Sequence, residues 1–223
     1  MRKIMSESTG KADHKIYALQ YAELGLRVFP AHYILKSGRC SCGKVDCGSP
    51  GKHPLPQNGL LSATTDLEKI GQFWTVNPLA NIAIRTGAEF GFWALDLDGI
   101  EGIRDLNQLA EQHPDLPESD TGGDGRHLFF RYPDGGIHNA TKLAGKNIDV
   151  RGTGGYVIVA PSNHVSGQQY RWRRDPFKYD LEPAPGWLLK FARNRSPNDK
   201  PKEGRFVVEG TADFRTEPGT AKG

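Results

Sequence analysis

Along the first third of the chain the apolar positions change period twice. Ile16, Leu19, Ala22 and Leu26 recur at helical spacing in HKIYALQYAELGL, predicting a helix that buries this face, and RVFPA at 27–31 then reads as a strand. From 35 to 62 Gly, Pro, Ser, Lys and Cys follow one another without any period, over a stretch too long to be plain connection. Thr65 and Glu68 have the capping-box spacing and open a second helix through Phe73 and Trp74 that should stop near Pro78. Strands are predicted at 81–87 (NIAIRTG) and 91–99 (GFWALDLDG), joined closely enough to be sheet neighbours. A helix over 101–113, a Pro-rich turn, strands at 126–132, 147–151 and 155–161, and a last helix over 185–194 complete the pattern. Hairpin-linked strands with interspersed helices predict a mixed α+β fold, with an antiparallel or mixed sheet and helices on one side.

Strand alternation gives these segments chemistry. In FWALDLDG, Trp93, Leu95 and Leu97 share one face, and Phe92, Ala94, Asp96 and Asp98 share the other. In NIDVR, Ile148 and Val150 point one way and send Asp149 and Arg151 the other. Were these strands adjacent, three carboxylates would meet on one sheet surface, and three negative charges there demand cations. Oxygen ligands in that number suit Mg²⁺ or Mn²⁺. Two such ions ~4 Å apart serve in-line nucleotidyl transfer, one activating the attacking hydroxyl and one holding the triphosphate. The same repulsion predicts that removing Asp96 and Asp98 leaves the metal-free fold as stable or more stable. Standing alone, DLDG would equally fit a strand ending at a glycine turn.

Between these strands lies TGGDGRH, Thr121 to His127. Gly122, Gly123 and Gly125 offer backbone N–H groups unhindered by side chains, a shape that accepts phosphate oxygens, and the loop delivers His127 at a strand start. Arg151, on the face of Asp149, is read as a second phosphate ligand.

The aperiodic loop carries a separate signal. CSCGKVDCGSPGKH places Cys40, Cys42, Cys47 and His53 as C-x-C-x₄-C-x₅-H, three thiols and one imidazole, enough to close a tetrahedral Zn²⁺ site of structural type. His32 could substitute for His53, less plausibly. Three cysteines crowded into eight residues are no disulfide framework and argue for a reducing compartment.

With 37% hydrophobic residues, the 223-residue chain permits one good-sized core with unburied remainder. The expected organisation is a flexible N-terminus (1–12), a single domain over 13–194 with the zinc loop at 38–54, and a linker-like tail (195–223). No apolar run reaches the ~20 residues of a membrane helix, and the N-terminus lacks a signal peptide's apolar segment, so a cytoplasmic protein is expected. The net charge of +3 says little, but Lys142, Lys146, Arg151, Arg171, Arg173, Arg174 and Lys178 crowd one region. Arg171, Arg173, Arg174 and Lys178 are taken as a template-binding group.

Over about residues 14–190 the chain resembles the primase-polymerase (prim-pol) domains of the archaeo-eukaryotic primase superfamily of plasmids, phages and mobile elements. Their Asp-x-Asp/Glu, Ser/Thr-Gly-Gly-x-Gly-x-His and hydrophobic-Asp motifs read here as DLD (96–98), TGGDGRH (121–127) and ID (148–149), in that order. The resemblance implies metal-binding roles for Asp96, Asp98 and Asp149, and contact of His127 and the Thr121 hydroxyl with the phosphates of the incoming nucleotide. Many members carry Ser where this chain has Thr121. It also implies a catalytic centre between two small α/β lobes, the second resembling an RNA-recognition sheet. Members often continue into a helicase region, a possible partner beyond the tail.

The expected function is therefore a DNA primase/polymerase that adds dNTPs or NTPs to a 3′ hydroxyl on a single-stranded DNA template. Two rivals use the same features: a non-catalytic zinc module binding single-stranded nucleic acid, and a metal-dependent nuclease. Only the polymerase needs a triphosphate pocket.

Overall fold

A computed structural model describes residues 13–109, 118–175, 177–178 and 181–194. The expectations for 1–12, for the helix end and Pro-rich turn at 110–117, and for the tail at 195–223 lie outside the described residues. In chain order the elements are α1 (His14–Glu23), β1 (Val28–Ala31), α2 (Leu67–Val76), β2 (Asn81–Arg85), β3 (Phe92–Leu97), α3 (Gly99–Leu109), β4 (Glu118–Asp120), β5 (Arg126–Arg131), β6 (Ile148–Arg151), β7 (Tyr156–Val159), β8 (Arg171–Arg174) and α4 (Gly186–Arg193).

Two helix details differ from the sequence reading. The cap of α2 is Asp66, whose carboxylate accepts the N–H groups of Glu68 and Lys69, rather than Thr65. Helix α1 buries Ala22 as expected, with Leu26 just beyond it also buried and Leu19 packed on the core, but Ile16 is 43% exposed and His14, Ala18 and Tyr21 complete the inward face. His14 earns its place by bonding the Ala80 carbonyl through Nδ1 at 2.8 Å, an anchor that apolar spacing alone does not reveal.

The strands form two antiparallel sheets, β1-β2-β7 and β6-β3-β5-β4-β8. Successive strands β2 and β3, expected to be neighbours, fall in different sheets, linked by the single bridge Gly87↔Phe92. All five residues of β2 are buried. Such a strand needs a partner on each edge, which β1 and β7 supply. Gly87 and Gly91 take positive φ (133° and 72°) and turn the chain out of the first sheet into the second.

The result is two lobes, the smaller sheet with α1 and α2 and the larger with α3 and α4. Trp93, Leu95 and Leu97 of β3 pack with Leu106 of α3 and with Leu188 and Ala192 of α4. On the opposite face, Phe92 and Ala94 join Phe129 of β5 in one core with Val28, Ile82, Ile84, Ile70 and Trp74 of the other lobe. The face of β3 that carries Asp96 is thus turned toward the first lobe, and apolar packing at one end of the strand fixes where the carboxylate at the other end must lie.

Candidate active site

Register builds the site. Across the larger sheet Asp96 of β3 stands directly opposite His127 of β5 on one side and Asp149 of β6 on the other, with Ala94 opposite Arg151 one step along. Directly opposed residues project to the same face, so His127, Asp96 and Asp149 form one row. Asp98 lies just past the end of β3, exposed, where its backbone N–H donates to the Asn147 carbonyl at 2.9 Å and its carbonyl accepts from Gly102 at 3.0 Å. Asp96, Asp98, Thr121, His127 and Arg151 line a cavity of about 240 Å³ between the lobes, together with Lys52.

The row is already partly neutralised. The Arg151 guanidinium reaches the Asp96 and Asp149 carboxylates, each at 2.8 Å, and His127 Nε2 lies 3.3 Å from Asp96. Burial pushes the Asp96 carboxyl up, but the charges and hydrogen bonds of His127 and Arg151 outweigh it and hold the group well below the usual carboxylate range. Asp98 and Asp149 behave oppositely. Burial, and after it the charges of Asp96 and Asp149, raise Asp98. Burial also raises Asp149, against the Lys142 N–H that donates to it at 2.8 Å. Asp98 lines the cavity, whereas Asp149 stands behind Arg151 and is not among the lining residues; among the described residues the cysteine–histidine set, and not these carboxylates, draws its ligand atoms to within 4.8 Å of one another. Arg151 still has donors in hand: Nε and Nη2 serve the carboxylates, leaving the two N–H groups of Nη1 unused among the described residues.

The glycine loop sits against the end of β3. A Cβ at Gly125 would stand 2.2 Å from the Leu97 carbonyl oxygen, and one at Gly122 would stand 2.2 Å from Cβ of His164. These glycines are required by close packing as well as by any need to present N–H groups. The Ser166 hydroxyl donates to the Gly122 carbonyl, so a hairpin at 162–169 buttresses the loop. His164 and Ser166 carried no signal in the sequence, nor did the cavity residues Lys52, Asn139, Tyr156 and Tyr170. They reach the site through long-range folding, without any local motif.

The zinc loop closes as its spacing predicts. The ligand atoms of Cys40, Cys42, Cys47 and His53 lie within 4.8 Å of one another, and His53 Nε2 is 3.5 Å from both Cys40 Sγ and Cys47 Sγ. A tetrahedral Zn²⁺ with sulfur at ~2.3 Å has edges of roughly 3.8 Å, so the set fits the ion. Burial, then the charge of Lys44, lowers the His53 pKa and favours the neutral ligand form. His32 is spoken for: its Nδ1 pairs with the Ser41 hydroxyl at 2.8 Å and its ring lies against His53, tilted by 33° with centroids 4.2 Å apart. It orients the ligand and does not replace it.

Three of the proposed template residues, Arg171, Arg173 and Arg174, lie on β8, a strand hidden in the sequence by its own charge density at the edge of the larger sheet, and Lys178 follows beyond it. Arg173 is tied to both Glu118 and Asp120 of β4, and Lys178 pairs with Asp175 at 3.6 Å. Lys146, further along the same basic region, is paired with Asp105 at 3.5 Å. Much of the basic cluster is therefore balanced within the fold.

The site is thus an acidic row at a cleft between two α/β lobes, with a glycine loop at its edge. A family model described as bifunctional DNA primase/polymerase, N-terminal (Prim-Pol), matches residues 18–187, and the chain belongs to that family. No curated protein matches the sequence. No helix among the described residues is long and apolar enough to cross a membrane.

Proposed function

We propose that the chain catalyses template-directed nucleotidyl transfer, joining a dNTP or NTP to a nucleic-acid 3′ hydroxyl on single-stranded DNA. The observation that carries this reading is the row Asp149–Asp96–His127, of which Asp96 and His127, with Asp98, line a cavity wide enough for part of a nucleotide. Asp96, Asp98 and Asp149 would hold two Mg²⁺ or Mn²⁺ ions, which when bound lower the pKa of the attacking hydroxyl and offset charge on the leaving pyrophosphate. Arg151 keeps the row compact and holds Nη1 ready for a phosphate oxygen. The N–H groups of Gly122 and Gly123, with the Thr121 hydroxyl at the cavity wall, bind further phosphate oxygens. His127, 4% exposed, fixes Asp96 and presents its edge to the cavity. Extension of a primed single-stranded template with Mn²⁺ or Mg²⁺ tests the reading; cleavage without extension would assign the site to a nuclease, and neither activity would leave a binding module.

His127→Ala is expected to retain the fold and weaken nucleotide use, raising the KM for dNTP about tenfold or more as one hydrogen bond to a charged partner is lost. A loss of folding stability without a KM change would make His127 a purely structural partner of Asp96.

Binding of single-stranded DNA should weaken with salt, each phosphate contact adding about −0.7 to the slope of log K against log salt. Because Arg173 is already balanced by Glu118 and Asp120, Arg173→Ala should change the slope less than Arg171→Ala. Equal slopes for wild type and both variants would remove β8 from the template path.

A further inference from the structure

The zinc loop does not stand apart from the cavity. Ser49 and Lys52, which fall between the ligands Cys47 and His53, line it opposite the acidic row. Lys52 is half-buried, yet among the described residues its ammonium is in no ion pair or hydrogen bond. Its charge acts on Asp98 on one side and on His164, beside the glycine loop, on the other. A lysine with no ion pair of its own on the wall of a cleft is available to an anion that enters it.

The backbone around Lys52 is held on both sides. Its N–H donates to the Ser49 carbonyl at 3.1 Å, and its carbonyl accepts from the Tyr156 hydroxyl at 3.1 Å. The Gly51 carbonyl accepts from Asn81 at 2.9 Å, and the Gly51 N–H points at Cys40 Sγ at 3.5 Å. The zinc ligands and the first lobe thus fix one lysine at the cleft while leaving its head unengaged. Arg151, the other cation of the cavity, commits Nε and Nη2 to Asp96 and Asp149 and keeps Nη1 alone for a phosphate, so a triphosphate needs a further cationic contact.

We infer that Lys52 is a phosphate ligand for the incoming nucleoside triphosphate, and that the zinc loop is part of the nucleotide site because it places this residue. The inference deepens the nucleotidyl-transfer reading and rests on it. Zinc binding and triphosphate binding are then thermodynamically linked through one loop, with Lys52 as the connection.

The test measures binding of dATP, and separately of inorganic tripolyphosphate, to the full chain in Mn²⁺ without nucleic acid, with zinc content determined in parallel. Lys52→Met is expected to keep its zinc and bind both probes at least about tenfold more weakly, the worth of one charge-assisted hydrogen bond, and Lys52→Arg to recover much of the loss. Wild type stripped of zinc and freed of chelator should show the same deficit, and stripped Lys52→Met little more. If the stripped protein loses its circular dichroism, the zinc-loaded variants decide the matter alone. Lys52→Met binding dATP as wild type does would overturn the inference while leaving the proposed function standing. A loss confined to single-stranded DNA would overturn it in favour of a template contact. Wild type binding no nucleotide would overturn both.

Discussion

Asp96→Asn and Asp98→Asn are each expected to reduce nucleotide incorporation by about three orders of magnitude, since each removes a carboxylate proposed to hold catalytic metal worth several kcal/mol in the transition state. Their effects on stability should have opposite signs. Asp96 is bonded by Arg151 and faces His127, so losing its charge leaves a largely buried guanidinium short of a partner and should cost about 3 kcal/mol. Asp98, raised by partial desolvation at the cleft and then by the carboxylates of Asp96 and Asp149, destabilises the metal-free fold when ionised, so its neutral variant should be slightly more stable. The pH dependence follows from the directions. The folded-state pKa of Asp96 is depressed, so its contribution is complete above the unfolded value of about 3.9 and is lost as pH falls through the folded value. That of Asp98 is raised, so its penalty grows as pH rises through the interval between unfolded and folded values, and the advantage of Asp98→Asn should fade below about pH 4. Urea unfolding at pH 7 and pH 3.5 in metal-free buffer measures the fading of the Asp98 effect, while the Asp96 contribution should still be largely present at pH 3.5. Retained incorporation in both variants would mean that these residues merely end a strand. The expectation from repulsion alone, that losing both carboxylates costs the fold nothing, fails for Asp96 because Arg151 reaches back to it, a contact that strand alternation cannot foretell.

Removal of zinc should have the other large effect. Structural zinc sites contribute on the order of 10 kcal/mol to the folding of their element, and the loop here has few apolar anchors of its own. Cys40 alone among the ligands is buried, at 3% exposure, and accepts the Gly51 N–H, so Cys40→Ser should lower the melting temperature more than Cys42→Ser. One zinc per chain is expected by elemental analysis of protein prepared without added metal. Freely titratable thiols at all three cysteines, with no zinc and an unchanged melting temperature in chelator, would refute the assignment.

The features legible in the sequence are those fixed by local geometry. Alternation placed Asp96 with Ala94, and Asp149 with Arg151, because strand side chains must alternate whatever the strand pairs with. The spacing of Cys40, Cys42, Cys47 and His53 was equally local, since a zinc loop folds around its ion. Long-range choices were not legible. Nothing in NIAIR says that it pairs with Tyr156–Val159 rather than with the strand six residues on. The weakly amphipathic α1 hid part of its inward face because a histidine and a tyrosine hydroxyl anchor it: Tyr21 donates to the Ala160 carbonyl at 2.6 Å and accepts from Trp172 at 2.8 Å. Strand β8, with three arginines in four residues, has too little apolar character for a period to emerge, and it forms because β4 offers Glu118 and Asp120 across the pair.

The crossing from β2 to β3 bears on how such a unit can travel between genes. The smaller sheet draws its strands from Val28–Ala31, Asn81–Arg85 and Tyr156–Val159, and the larger sheet takes the segments before and after that last one. No single break between β1 and β8 leaves both sheets whole: one before β3 spares the larger sheet but takes β7 from β2, and one after β7 spares the smaller sheet but takes β8 from β4. Recombination can therefore attach new partners only outside this stretch, and the cleft with its acidic row is inherited as one indivisible block or not at all.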